Sequence, residues 1–385
     1  MCGIAGIFQF CVNTDPVSLT KNIKHLLNSI KHRGPDDQGM YVSGPIGLGM
    51  RRLSIIDLVT GSQPIFNEDR TICTVFNGEI YNHAELRSDS EQRGHTFSTD
   101  TDTESILHLY EDKGADCVEA LNGMFAFAIF DRRDRSVLIA RDRLGIKPLF
   151  YAETPSGLVF GSEIKSLLTH PDVSREIDPK ALDDYLAYKF IPAPRTIYRS
   201  VRKLPPGHTL TWKDGTLTIK PYWHLDFPES DTRCEEEVAE ELLLRLRESV
   251  RLRMISDVPL GAFLSGGIDS SAIVGLMSEM ASQPVRTFSI GFEEKSYSEL
   301  EPARRVSEHF GTHHTDLVVT PDVVDLCQRV THQFDEPFGD SSALPTYLVS
   351  KHASEQVKVA LSGTGADEIF AGYERYWMAT VGERY

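Results

Sequence analysis

The stretch VPLGAFLSGGIDSSAIVGLMSEM, Val258 to Met280, decides the fold class of the second half of the chain. VPLGAFLS is a short apolar run of strand length, and SSAIVGLMSEM is a helical run. At their junction LSGGIDSS, Leu264 to Ser271, places two glycines and three hydroxyls where a strand turns into a helix. Backbone amides in such a turn can close around an anion at the positive end of the helix dipole. The same residues also suit a tight turn with an Asp or Ser cap. No GKS or GKT follows, so this is not a Walker loop.

Beyond it come strand VRTFSIGF, helix ELEPARRVSEHFG, strand TDLVV, further helices and strand VKVALSG. Alternating strands and helices predict a parallel sheet with crossover helices, whose ligands sit at the carboxyl ends of the strands. Two further strand ends carry matching chemistry. FSIG, Phe288 to Gly291, is expected to end a strand in a glycine that lets a flat ring approach the backbone. LSGTGADEIFAGY, Leu361 to Tyr373, ends another in glycines followed by two carboxylates. Asp269 and Asp367 fall at the carboxyl edge, where hard oxygens can hold a Mg²⁺ bridging phosphates. Each alone also reads as a capping residue; three such strand ends in one alternating domain are not explained by turns.

The first half reads differently. CGIAGIF, GPIGLGM, TICTVFNG, FAFAIFD, SVLIARD, GLVFGSE and HTLTWKDGTLTIK are alternating or β-branched runs broken by Gly, Pro and Asp, the sign of antiparallel sheet. SLTKNIKHLLNSIKH and DTESILHLYEDKG are helical candidates, so this half is α+β. The boundary is expected after Asp226, giving domains 1–226 and 227–385, with a linker in FPESDTRC and an amphipathic helix, CEEEVAEELLLRLRESVRLRM, at the junction.

Totals agree with two domains: 385 residues exceed one ordinary core. Forty basic against 56 acidic residues give a net charge of −16, which disfavours nucleic acid and anionic membranes as partners. The six cysteines, Cys2, Cys11, Cys73, Cys117, Cys234 and Cys327, form no CxxC pair and read as reduced thiols of a cytoplasmic protein. No stretch is long enough to cross a bilayer.

The chain opens MCGIAGIF. If Met1 is removed, the Cys2 thiol and its α-amine share one carbon, and such an amine can take the thiol proton. The competing reading is a small buried residue at the start of a strand.

With both motifs in view, the chain resembles a known family. SGGIDSS is similar to the pyrophosphate loop of ATP pyrophosphatases, and MCGIAGIF to the start of class II, N-terminal-nucleophile glutamine amidotransferases. In this order they resemble glutamine-hydrolysing asparagine synthetases. The resemblance implies an αββα sandwich of antiparallel sheets followed by an adenine nucleotide α hydrolase-like parallel-sheet domain. It implies Cys2 as nucleophile, Asn77 and Gly78 of NGEIYNH as oxyanion hole, and Glu79 with Asp102 of TDTES on the glutamine ammonium. Arg52 of RRLSIID falls to the glutamine carboxylate. HRGPDDQG, His32 to Gly39, resembles a further motif close to this pocket. ATP binding falls to Leu264, Ser265, Gly266, Gly267, Asp269, Ser270, Ser271, Ile290, Gly291, Ser362 and Gly363, and Mg²⁺ to Asp269 and Asp367. Ammonia then passes through an internal tunnel to an acyl-adenylate, giving an amide, AMP and pyrophosphate. Glutamine, ATP and an acceptor carboxylate, aspartate first, are the implied partners, and homodimers are common in the family.

Each first-half residue has a structural alternative: Arg52 as a surface cation, Asn77-Gly78 as a hairpin turn, Asp102 as a helix N-cap. The pattern also departs from the family. Thr364 stands where SGEG carries an acidic residue, and Asp335 to Ser350, DEPFGDSSALPTYLVS, differs from the DVTT-like stretch of aspartate users. These departures favour an acceptor other than aspartate as the alternative. Family members continue past the position of Tyr385 and bring a lysine to adenylation, so impaired acyl transfer is expected from this chain; a protein keeping only glutaminase or nucleotide binding is the third reading. His309, His313 and His314 read as solvated or capping residues.

Overall fold

The computed structural model describes residues 1–10, 15–213, 215–227, 232–293, 299–319 and 322–382. Cys11 and residues 228–231 of the expected linker lie outside the described residues. The chain divides into two compact units, Met1–Glu229 with Thr331–Asp340, and Ser230–Val330 with Ser341–Tyr385.

The first unit contains strands β1 (Gly3–Gln9), β2 (Asp37–Ser43), β3 (Ile46–Arg52), β4 (Ile65–Phe66), β5 (Ile72–Ile80), β6 (Gly123–Asp131), β7 (Ser136–Arg141), β8 (Phe150–Thr154), β9 (Gly157–Gly161), β10 (Arg202–Lys203), β11 (His208–Lys213) and β12 (Thr216–Pro221). They form two six-stranded sheets, in the orders β10-β8-β9-β1-β3-β2 and β12-β11-β7-β6-β5-β4. Helices α1 (Pro16–Ser29), α2 (His83–Gln92), α3 (Asp102–Lys113), α4 (Ile164–Leu167) and α5 (Pro179–Tyr188) complete it.

Period-two alternation builds the layers. In β1, Ile4 and Phe8 point into a core shared with Val75, Ala128 and Ile139 of the other sheet. Their neighbours Ala5 and Ile7 point the opposite way, onto Leu19, Ile23, Leu26 and Leu27 of α1. Phe8 stacks on Phe160 at 5.8 Å and on Trp212, across the sandwich, at 6.3 Å. On the far face of the second sheet, Ile72, Phe76 and Ile80 of β5 meet Ile106, Leu107 and Leu109 of α3. The result is the four-layer αββα sandwich. Local signals agree with it. Asp15 caps α1 by accepting from the Val17 and Ser18 amides at 3.0 and 3.1 Å, Pro16 opens the helix, and the buried leucines and isoleucine recur at helical spacing. Each such buried side chain contributes about 1.5–3 kcal/mol.

The second unit runs α6 (Glu235–Arg253), β13 (Leu260–Phe263), α7 (Ile268–Met280), β14 (Arg286–Phe292), α8 (Leu300–Phe310), β15 (His313–Val319), α9 (Val323–Gln333), α10 (Ala343–Ala353), β16 (Val359–Leu361), α11 (Ala366–Phe370) and α12 (Glu374–Gly382). Its strands are all parallel, in the order β15-β14-β13-β16. The chain therefore moves outward from β13 to β15 and then returns to the other side of β13. That reversal leaves a crevice between the carboxyl ends of β13 and β16, the place where open α/β sheets bind ligands. Val250 of α6 packs with Ala262, Val274, Met277, Ala303 and Leu361 in the core beneath it.

One strand end differs from expectation. β14 does not stop at Gly291 but pairs with β15 through Phe292 opposite Val319. On the other side its pairing with β13 ends at Phe288. Ile290 and Gly291 thus lie on a strand that outruns its neighbour. Among the described residues no helix is long and apolar enough to cross a membrane.

Candidate active site

Cys2 stands one residue before β1, beside the residue that follows β3. The Leu53 amide lies 3.4 Å from its Sγ, and the Leu53 carbonyl lies 3.6 Å from the same sulfur. The neighbouring backbone is held by Arg33, whose Nε donates to the Cys2 carbonyl at 2.8 Å and whose Nη1 donates to Glu163 Oε1 at 2.9 Å. Glu163 is held in turn by His32 and Lys165, each at 3.0 Å. HRGPDDQG runs past the end of β3 and into β2, where Asp37 to Gly39 pair with Arg52 to Met50. A Cβ on Gly34 would strike the Arg51–Arg52 backbone, the Asp36 amide donates to the Arg52 carbonyl at 3.0 Å, and Asp36 Oδ2 accepts from the Ser54 amide at 3.0 Å.

Asn77-Gly78 is not a hairpin turn. It sits inside β5, with Asn77 opposite Ala126 and Gly78 opposite Phe125 of β6. Gly78 is required there because a Cβ would run into the Met124 carbonyl. Alternation puts Asn77 and Glu79 on the face that Cys73 and Val75 give to the inter-sheet core, the core against which Cys2 also packs. Asn77 is 1% exposed, and neither Oδ1 nor Nδ2 has a hydrogen-bond partner. A buried amide with both ends unpaired costs about 1–3 kcal/mol per group and is rare in native cores.

Arg52 is not a surface cation. It is 5% exposed, and its Nη2 donates to the carbonyls of Ile56 and Asp57 at 3.1 and 2.6 Å. Asp102 is not the helix cap either: Thr101 caps α3, accepting from the Thr103 amide at 3.4 Å. Asp102 is the first residue of α3, buried, and its Oδ2 accepts from the Ile80 amide at 2.8 Å. That bond ties α3 to β5 next to Glu79.

The electrostatics follow from burial. Desolvation and then the charge of Asp102 raise Glu79 to about 8. Asp102 is raised too, by desolvation, against the opposing Ile80 amide. Burial pushes the Cys2 thiol up and the chain's amino terminus down to about 6. Lys147 is lowered by burial while Glu79 draws it the other way. The pocket thus holds two carboxyl groups raised by burial, a thiol raised by burial and a Met1 amine lowered by it.

In the second unit the loops that follow β13 and β16 meet at the start of α7. Gly266 has φ +82°, and a Cβ there would strike Pro302 of α8. Ser270 Oγ accepts from the Ser265 amide at 3.3 Å, pairs with Ser265 Oγ at 3.0 Å and donates to the Gly267 carbonyl at 3.2 Å. Ser271 Oγ donates to the same carbonyl at 2.7 Å. A Cβ on Gly363, after β16, would touch the Ser270 amide and Asp269, so the loop Ser362–Thr364 abuts the start of α7. Thr364 pairs its hydroxyl with Ser362 Oγ at 2.7 Å. Asp269 and Asp367 occupy the first turns of the helices after β13 and β16. Both carry carboxylate oxygens, the kind of ligand that Mg²⁺ takes.

A profile of the glutamine amidotransferase domain matches residues 1–223, and one of asparagine synthase matches residues 241–385. Asparagine synthetase [glutamine-hydrolyzing] 1 of Bacillus subtilis is 41% identical over 98% of this chain and 59% of its own length. A putative asparagine synthetase [glutamine-hydrolyzing] 2 of Methanocaldococcus jannaschii is 40% identical over 97% of this chain and 76% of its own. The chain belongs to the glutamine-hydrolysing asparagine synthetase family. It spans less than two thirds of the length of the Bacillus relative. A solved glutamine phosphoribosylpyrophosphate amidotransferase from B. subtilis matches 85% of this chain and 70% of its own at TM-score 0.41 and 16% identity, too distant a likeness to build on.

Against that family pattern, Cys2, Arg52, Glu79 and Asp102 are close enough to perturb one another or their shared neighbours, and alternation along β5 puts Asn77 on the same face as Glu79. Three residues were not singled out from sequence. Arg33 lies inside HRGPDDQG, to which the family resemblance gives no residue-level role. Lys147 and Glu163 carry no local signal, and only the strand order that sets β9 beside β1 brings Glu163 to Cys2.

Proposed function

We propose that the chain is a glutamine-dependent asparagine synthetase, a carbon–nitrogen ligase, with residues 1–226 hydrolysing glutamine and residues 227–385 contributing to amide synthesis from ATP and aspartate. The observation that carries the reading is Asn77: a fully buried amide with both ends unspent, on the face that Glu79 shares and the core that Cys2 joins. Such a group is paired when a ligand supplies the partner.

In this reading Arg52 binds the glutamine carboxylate, and Glu79 with Asp102 binds its ammonium. The ligand's positive charge offsets the burial and the Asp102 charge that hold Glu79 protonated, so glutamine binding releases a proton. With Met1 removed, the α-amine of Cys2 takes the proton of its own thiol, and the sulfur adds to the side-chain carbon of glutamine. Asn77 Nδ2 and the Gly78 backbone stabilise the oxyanion, a role worth about 10²–10³ in rate. The amine returns its proton to the departing ammonia, and water then releases glutamate from the thioester. Arg33 is a positioning residue, fixing the backbone of Cys2 through its carbonyl.

The loop Leu264–Ser271, with Ile290, Gly291, Ser362 and Gly363, takes ATP at the switch-point crevice. Asp269 and Asp367 would hold Mg²⁺, which supplies neutralisation of phosphate charge when bound. The names of the relatives at 40–41% identity support aspartate over another acceptor. Reduced thiols, which Cys2 chemistry requires, suit a cytoplasmic setting. The test is glutamine-dependent formation of asparagine and pyrophosphate from aspartate and ATP by the full chain, with the products resolved chromatographically. Glutamate release without any aspartate-dependent pyrophosphate would leave the glutaminase reading standing and remove the synthetase one.

A further inference from the structure

Helix α3 carries a second cluster on the turns beyond Asp102. Fully buried His108 and half-buried Glu111 of α3 meet His95 from the segment after α2 and Glu68 from the β4–β5 connection, with one ligating atom of each within 4.8 Å of the others. His108 Nδ1 is 2.9 Å, and His95 Nδ1 3.6 Å, from the same oxygen, Glu111 Oε2. We propose that His95, His108, Glu111 and Glu68 form a binding site for one divalent transition-metal ion, zinc by preference, which pins α3 to the two segments packed on it.

The donor set is that of a zinc site: two imidazoles and two carboxylates, whose two negative charges one divalent ion neutralises. A tetrahedron with ligands at about 2.1 Å has edges of about 3.4 Å, so these atoms need draw in by no more than about 1.4 Å. Exposed Glu68 has the freedom to do so.

The outer partners are those that aim metal ligands. His95 Nε2 lies 3.0 Å from Asp112 Oδ1, and Asp112 is itself held by Arg93 at 2.7 Å. The second oxygen of Glu111 accepts from Asn67 Nδ2 at 2.7 Å, and Glu68 Oε1 accepts from the Thr96 amide at 3.0 Å. His108 Nε2 is buried without a hydrogen-bond partner, with Glu104 Oε1 at 3.8 Å. A metal that draws His108 and Glu111 together gives this imidazole a fixed orientation that the present contacts leave incomplete.

The site has no part in the chemistry at Cys2. His108 and Asp102 are six residues apart on α3, roughly 9 Å along the axis, so an ion there anchors the helix whose first residue faces Glu79.

The experiment titrates Zn²⁺ into the full chain after chelator treatment, by calorimetry, with Co²⁺ as a spectroscopic probe of tetrahedral nitrogen and oxygen ligation. The expected result is one ion per chain, a Tm raised by Zn²⁺, and affinity reduced about a hundredfold or more in His95→Gln and Glu111→Gln. These variants leave buried His108 in place and so preserve the fold, which circular dichroism checks. Cys2→Ala should bind as wild type does. Absence of saturable binding, equal binding by His95→Gln, or binding that disappears only in Cys2→Ala would overturn the proposal and leave the cluster as an ion-pair network.

Discussion

The glutamine pocket of the first unit and the nucleotide loop of the second hold polar groups in opposite ways. In the pocket Asn77, Arg52 and Asp102 are buried, and Asn77 has no hydrogen-bond partner at either end. In the loop Ser265, Ser270 and Ser271 spend their hydroxyls on the loop's own backbone and on one another, while Gly267, Ile268 and Ser362 stand in solvent. The pocket pays in stability for readiness, with unpaired polar atoms and two carboxylates waiting for an ammonium. The loop satisfies itself and offers backbone to an anion. Removing the unpaired amide should therefore stabilise the first site, and removing a loop hydroxyl should destabilise the second.

Among the variants that probe this contrast, the largest effect is expected at Asn77. Asn77→Leu should lower kcat for glutamine hydrolysis about 10²–10³-fold while leaving the calorimetric melting of the full chain unchanged or higher, because an unsatisfied amide is replaced by an apolar group of similar shape. A drop in Tm would break the contrast. Gly78→Val tests the neighbouring constraint in the other direction. Its side chain must displace the Met124 carbonyl, so a loss of about 1–3 kcal/mol is expected in denaturant titrations.

Glu79 gives the pH dependence. Its carboxyl is raised from its ordinary 4.5 to about 8 in the resting fold, so between those values the native state holds a proton that the unfolded chain has released. The associated stability is complete below the lower value and drains away as pH rises to about 8. Glu79→Gln should flatten the fall in Tm between pH 5 and 8, with its largest gain at pH 8. For the wild type, calorimetry in buffers of different ionisation enthalpy should report proton release on glutamine binding; proton uptake would contradict the assignment. The smallest effect belongs to the second unit, where Ser270→Ala should cost about 1 kcal/mol of stability and weaken ATP binding together, with glutaminase activity unchanged.

Much of this was legible in the sequence, and the reasons differ by residue. Alternation in CGIAGIF and TICTVFNG, and helical spacing in SLTKNIKHLLNSIKH, specify the layers because each face needs its own core. Gly266 and Gly363 were visible because close backbone approach demands glycine. The Asn-Gly pair misleads when read locally: it is a favoured turn, yet here the close approach of β6 requires the glycine inside a strand. Thr101 rather than Asp102 takes the cap of α3, since burial and the Ile80 amide claim the aspartate. Lys147 and Glu163 could not be found at all, because only long-range strand pairing sets them near Cys2. The same holds for the cluster of Glu68, His95, His108 and Glu111, drawn from three segments with no motif spacing.

Glutamate release from glutamine by the full chain and by Cys2→Ala, with the N-terminal residue identified by mass spectrometry, tests the central claim most directly. Glutamate from the wild type, an amino-terminal cysteine and a rate lowered at least about a thousandfold in a well-folded Cys2→Ala are the results expected. A folded wild type that releases no glutamate, or a Cys2→Ala variant of undiminished rate, would contradict the account and leave Cys2 a buried residue at the head of a strand.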